Sequence, residues 1–92
     1  DADLLTLRNE DIITVDLNDA PQGIPLDKQI DSSREMPAAT GVIPIKTFLG
    51  ALRQIGYDGP VHAEPFNAPL RSLPREEACA ATAAAMKKAF AL

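Results

Sequence analysis

The groups best suited to chemistry in this chain lie in two short stretches. Residues 12–21 read IITVDLNDAP and carry Asp16, Asn18 and Asp19, and residues 61–66 read VHAEPF and carry His62 and Glu64. Both stretches alternate. Ile13, Val15 and Leu17 take one parity of the first, with Thr14, Asp16 and Asn18 on the other; Val61 and Ala63 oppose His62 and Glu64 in the second. Carboxylate oxygens with one imidazole are donors that Mg²⁺, Mn²⁺ and similar cations accept. At the carboxyl ends of parallel strands such groups stand where α/β sheets bind ligands. The same spacing also describes the wet face of a half-exposed sheet. From the residues alone both readings stand. His62, the only histidine, reads as an exposed or internally satisfied side chain before it reads as a ligand. Arg34 reads as solvated, and Asn18 and Asp19 suit a strand-end turn because Asx side chains bond nearby backbone.

Four elements must position these groups. Strands are expected over 12–18 and 61–64, each stopped by a proline, Pro21 or Pro65. A helix is expected over about 44–55, where Ile45, Phe48, Leu49, Leu52 and Ile55 recur at helical spacing. Pro44 suits its first turn and Gly56 the position just past its end. A second helix is expected over about 74–91, with Ser72 as its N-cap, Glu76 and Glu77 in the first turn, and Lys87 and Lys88 in the last. Cys79, Ala83, Met86 and Phe90 form the stripe expected to enter the core. Residues 1–11 read as a helical or irregular lead-in, and 66–73 as a loop. Residues 19–43, rich in Pro and Gly, form a connection of a length usually tied to function or disorder; a helical turn is expected near Asp27–Glu35. Tyr57-Asp58-Gly59-Pro60 reads as a tight turn. The order strand, helix, strand makes a βαβ unit of class α/β, with parallel strands and a right-handed crossover.

The bulk numbers narrow the function classes. The chain has 92 residues with a net charge of −4, 46% hydrophobic and only 4% aromatic residues, and no Trp. Its core must come from Leu, Ile, Val and Ala, and a chain this short buries a modest share of its surface. The acidic balance argues against nucleic acid, which calls for a basic patch. A single cysteine, Cys79, allows no internal disulfide and fits a reducing compartment. No apolar run is long enough to span a membrane. A cytoplasmic protein with no membrane partner is expected.

Three segments carry a family resemblance: VDLNDAP, then DSSREMP followed by TGVIPIKTFLGALRQIGYDGP, then VHAEPF. Together they resemble the sugar phosphate isomerase/epimerase family, the xylose isomerase-like TIM barrels related to endonuclease IV. That family's pattern runs H-x-N-D-A-P, R-x-x-P-G-x-G-x-I-D, F-L-x-x-L-x-x-x-G-Y-D-G-P, and a strand ending in E-P-F. The resemblance implies that residues 1–92 are one segment, the C-terminal (βα)₂ quarter of a (β/α)₈ barrel. It implies a divalent-metal-dependent sugar or sugar phosphate isomerase or epimerase, moving a proton through an enediolate-like intermediate. Glu64 would be both metal ligand and acid/base. Asp16, standing where the pattern has His, would be a second ligand to Mn²⁺ or Mg²⁺. Arg34 and Asn18 would contact the sugar, and His62 and Asp19 would support them. A whole barrel takes about 250 residues, so the family's other ligands would come from the remainder of a barrel or from other copies. The 92 residues alone would then be inactive. The alternative is a truncated or degenerate barrel piece serving as a non-catalytic assembly or sugar-binding module. Related zinc endonucleases need many His ligands, which this chain lacks.

Overall fold

Val15 and Leu17 are branched apolar residues flanking a polar one, and this pattern forms the first of the two strands of the fold. A computed structural model describes residues 2–92, with strand β1 over Val15–Leu17, helix α1 over Ile45–Gln54, strand β2 over Val61–Ala63, helix α2 over Ala68–Arg71 and helix α3 over Arg75–Phe90. The two strands pair in parallel, with Val15 opposite Val61, Asp16 opposite His62 and Leu17 opposite Ala63. The backbone ladder continues at both ends, through Val15 N–H to the Pro60 carbonyl at 3.3 Å and Glu64 N–H to the Leu17 carbonyl at 2.8 Å. The expected α/β arrangement with α1 as crossover is therefore present.

The strands are shorter than expected. The chain bends at Ile13, so the expected apolar parity fails there: Ile13 is 92% exposed, and Ile12 packs on the core in its place. The core proper joins Val15, Leu17, Ile45, Leu49, Leu52 and Ala89, with Phe48, Ile55, Tyr57, Val61 and Met86 around it. The apolar stripe of α1 thus seats on the strands as its spacing requires. Pro44 precedes the helix rather than opening its first turn, and α1 ends at Gln54. Gly56 follows in a left-handed conformation, φ +76°, which glycine alone adopts without strain. In the next turn Tyr57 Oη donates to the Pro60 carbonyl at 2.6 Å. A Cβ added at Gly59 would lie 2.5 Å from that oxygen, so the folded-over ring excludes a larger residue there.

The C-terminal region departs most from expectation. Residues 66–73 hold the short helix α2 instead of an open loop. Asn67 Oδ1 accepts from Leu70 N–H at 2.9 Å, which starts this turn. Ser72 then falls at the end of α2, where its hydroxyl donates to the Ala68 carbonyl, and it cannot cap α3. The buried side of α3 is Ala78, Thr82, Ala85, Met86 and Ala89, and Cys79, Ala83 and Phe90 are exposed. The inner face is thus rotated by one position from the expected stripe. In an alanine-rich helix the smallest residues permit the closest approach, and Ala89, 1% exposed, joins Ile45, Leu49 and Leu52 of α1 in the core cluster.

The lead-in forms two short 3₁₀ turns, Leu4–Thr6 and Asn9–Asp11. A third lies at Leu26–Lys28, at the start of the Asp27–Glu35 stretch in which a turn is expected. Asn9 and Asp58 exchange hydrogen bonds of 2.9 and 3.2 Å, tying the lead-in to the turn below β2. Among the described residues no other strand pairs with the outer edge of β1 or of β2.

Candidate functional site

The carboxyl ends of β1 and β2 carry the polar residues singled out above. Parallel register sets Asp16 beside His62 rather than beside Glu64. Asp16 Oδ1 stands 3.4 Å from His62 Nδ1, and Thr14 Oγ1 stands 3.1 Å from the same nitrogen. Thr14 is not among the expected site residues, although its parity puts it on this face. Two positions past Asp16, Asn18 Nδ2 donates to the Glu64 carbonyl at 3.2 Å. Asn18 thereby fixes the backbone that presents the Glu64 carboxylate, which is exposed.

Asp19 does more than shape a turn. It is 0% exposed. Oδ1 accepts from Ala20 N–H at 2.8 Å and Ile43 N–H at 2.9 Å; Oδ2 accepts from Thr40 N–H at 3.1 Å and Gly41 N–H at 2.9 Å. Burial alone would raise its pKa, but the N–H groups of Ile43, Ala20, Gly41 and Thr40 together outweigh it and hold the carboxyl below the ordinary aspartate value. Its backbone also exchanges two hydrogen bonds with Glu35, at 2.8 and 2.9 Å. One residue therefore grips the long 19–43 connection near its middle and at its end.

This grip places Arg34. Its N–H donates to the Phe66 carbonyl at 2.8 Å, and its own carbonyl accepts from Asn67 Nδ2 at 3.0 Å. The long loop is thus joined to the segment that follows Glu64. The Arg34 side chain is 19% exposed, and its guanidinium pairs with Asp31 at 2.8 Å. Arg34 lines a cleft of about 510 Å³ whose other walls include Ile24, Leu26, Val42 and Gln29. Asn67 is absent from the sequence-based expectations, although an Asn two residues before Pro69 is a readable helix-start signal.

The donors suit a divalent ion in kind: two carboxylates and an imidazole on one strand-end face. In number they are few, since among the described residues no group of three His, Cys, Asp or Glu is gathered closely enough to hold a metal ion. Among these residues no helix is long and apolar enough to cross a membrane.

Parallel strands joined by a helical crossover, with polar groups collected at their carboxyl ends, define an α/β-barrel type of unit. The chain belongs to the xylose isomerase-like TIM barrel family, whose family model matches residues 1–89. No curated protein and no solved structure gives a match.

Proposed function

We propose that this chain contributes two strand ends to a divalent-metal-dependent sugar or sugar phosphate isomerase or epimerase of the cytoplasm. The observation that carries the reading is the shared face of Asp16, Asn18, His62 and Glu64 at the ends of paired parallel strands, in a chain of this family. Glu64 and the Asp16–His62 pair would hold Mn²⁺ or Mg²⁺, with further donors from other βα units. When bound, the ion supplies polarisation of adjacent carbonyl and hydroxyl oxygens. Glu64 is the proton carrier at the sugar carbon, passing through an enediolate-like species. Arg34 and Asn18 hold substrate oxygens, with Arg34 kept in place by its backbone bonds to Phe66 and Asn67. Asp19 supports them by fixing the loop. The open edges of β1 and β2 are paired by more βα units, from a longer chain or from other copies.

The test is exchange of the substrate's α-proton with D₂O, followed by NMR with Mn²⁺ and a panel of ketoses and ketose phosphates. Glu64→Gln is expected to slow exchange about 10²–10⁴-fold, the range for a lost acid/base group. A wild-type protein that neither binds Mn²⁺ nor exchanges this proton overturns the reading. The incomplete donor set favours one other role, a non-catalytic sugar-binding or assembly module. Sugar binding without exchange, unchanged in Glu64→Gln, would establish it.

A further inference from the structure

We propose that the cleft under the long 19–43 connection binds a short aliphatic carboxylate, with Arg34 at its charged head and Ile24, Leu26 and Val42 along its chain. The site goes beyond the sugar chemistry above and does not rest on it.

The cleft opens between the first part of the connection and its last residues, which lead into α1. Its volume is about 510 Å³, within the ordinary range of small-molecule sites. Ile24, Leu26 and Val42 line it and are 41%, 90% and 44% exposed. Apolar side chains are thus held open to water around a concave space, and an aliphatic ligand would cover them. Ala20, Ile43 and Pro44 add further apolar surface. Gln29 braces this wall, since its Nε2 donates to the Pro21 and Ile24 carbonyls at 3.3 and 3.1 Å.

Arg34 supplies the one charge. In a chain of net charge −4, no acidic residue lines this cleft. Its guanidinium spends only Nη2 on a partner, Asp31 Oδ1, and its other donors make no hydrogen bond among the described residues. The Asp31 side chain is 97% exposed, so water screens that pair and the positive charge stays available. A planar guanidinium matches a carboxylate. The apolar walls would leave the hydroxyls of a sugar without partners. Arg34 also lines a smaller cleft of about 210 Å³ beside Phe66 and Asn67, just past Glu64, together with Ser32, Ser33 and Glu35. The Glu35 carboxylate disfavours an anion there, and the hydroxyls suit a sugar. Arg34 therefore stands between two clefts of opposite character, and a carboxylate in the apolar one competes with a sugar for the same side chain.

The test uses the isotope-labelled chain with isocaproate as the probe and no metal or sugar. The Ile24 and Val42 methyl signals and the Arg34 Nε–H signal are expected to shift together along one saturable curve. Isohexanol, which has the same chain without the charge, is expected to bind about ten- to a hundredfold more weakly, and Arg34→Met to weaken isocaproate by as much. The backbone of Arg34, not its guanidinium, ties the loop to Phe66 and Asn67, so this variant keeps the fold. Val42→Asp puts a carboxylate at the rim with Arg34 intact, and is expected to abolish binding. Inorganic phosphate is expected to leave both methyl signals in place. The proposal is overturned by the absence of a saturable shift, by isohexanol binding as tightly as isocaproate, by binding retained in either variant, or by phosphate moving the same methyls. None of these results bears on α-proton exchange, and lost exchange with isocaproate binding intact removes the isomerase reading alone.

Discussion

Asp19 shows how much one carboxylate does at the residue scale. Its four backbone donors come from Ala20 and from Thr40, Gly41 and Ile43, more than twenty positions away. Removing it leaves buried N–H groups without partners, each costing about 1–3 kcal/mol when uncompensated. Asp19→Ala is expected to lower stability by about 3 kcal/mol, read by urea denaturation near neutral pH. Asp19→Asn, which keeps one acceptor oxygen, should lose less. The folded pKa lies below the ordinary value of 3.8. The carboxylate's contribution is therefore fully present above that value and is lost as pH falls through the folded pKa. The gap in stability between wild type and Asp19→Asn should be constant above about pH 5 and narrow in acid below 3.8. A gap that widens in acid would contradict the clamp.

At the scale of elements, α1 is where sequence and structure agree best. Its apolar spacing is strong, its start lies at a proline, and its end lies at a glycine. Gly56 at φ +76° has open space where a Cβ would stand, so the cost of replacing it is conformational alone. Gly56→Ala is expected to lower the melting temperature by a few degrees, reflecting about 1 kcal/mol. Differential scanning calorimetry would show it, and an unchanged midpoint would mean that the helix end relaxes. α3 is the contrasting case. Its sixteen residues are mostly alanine and charge, so large residues do not mark the inner face. Sidedness comes from which small side chains can approach α1, and that is a tertiary matter. Ser72 likewise has the chemistry of a cap, but Asn67 starts a turn first and takes Ser72 as its end.

At the scale of the whole molecule, the βαβ unit is covered on one side only. Ile13, Leu26 and Ile30 are exposed, and β1 and β2 have unpaired outer edges among the described residues. Open parallel edges with bare apolar residues are prone to pair with further strands. The 92-residue chain is therefore expected to self-associate with rising concentration in sedimentation experiments. Ile13→Lys, beside the β1 edge, should shift the distribution towards monomer. A concentration-independent monomer would show that the edges are closed in another way.

Alternation in IITVDLNDAP and VHAEPF, the helical spacing of 45–55 and the GYDGP turn were enough to specify parallel βαβ order, the crossover helix and the family. These are local signals, and each residue's contribution depends mostly on its near neighbours. The sequence also named the strand-end residues, because parity alone assigns them to one face. Their partners were decided in three dimensions. Register set Asp16 against His62 and drew in Thr14. Loop closure carried Thr40, Gly41 and Ile43 to Asp19 and joined Arg34 to Phe66. Such contacts link positions 21–48 apart in sequence, and no short-range pattern encodes distances of that kind. The chain must first fold its helix over its strands, and only then do those groups meet.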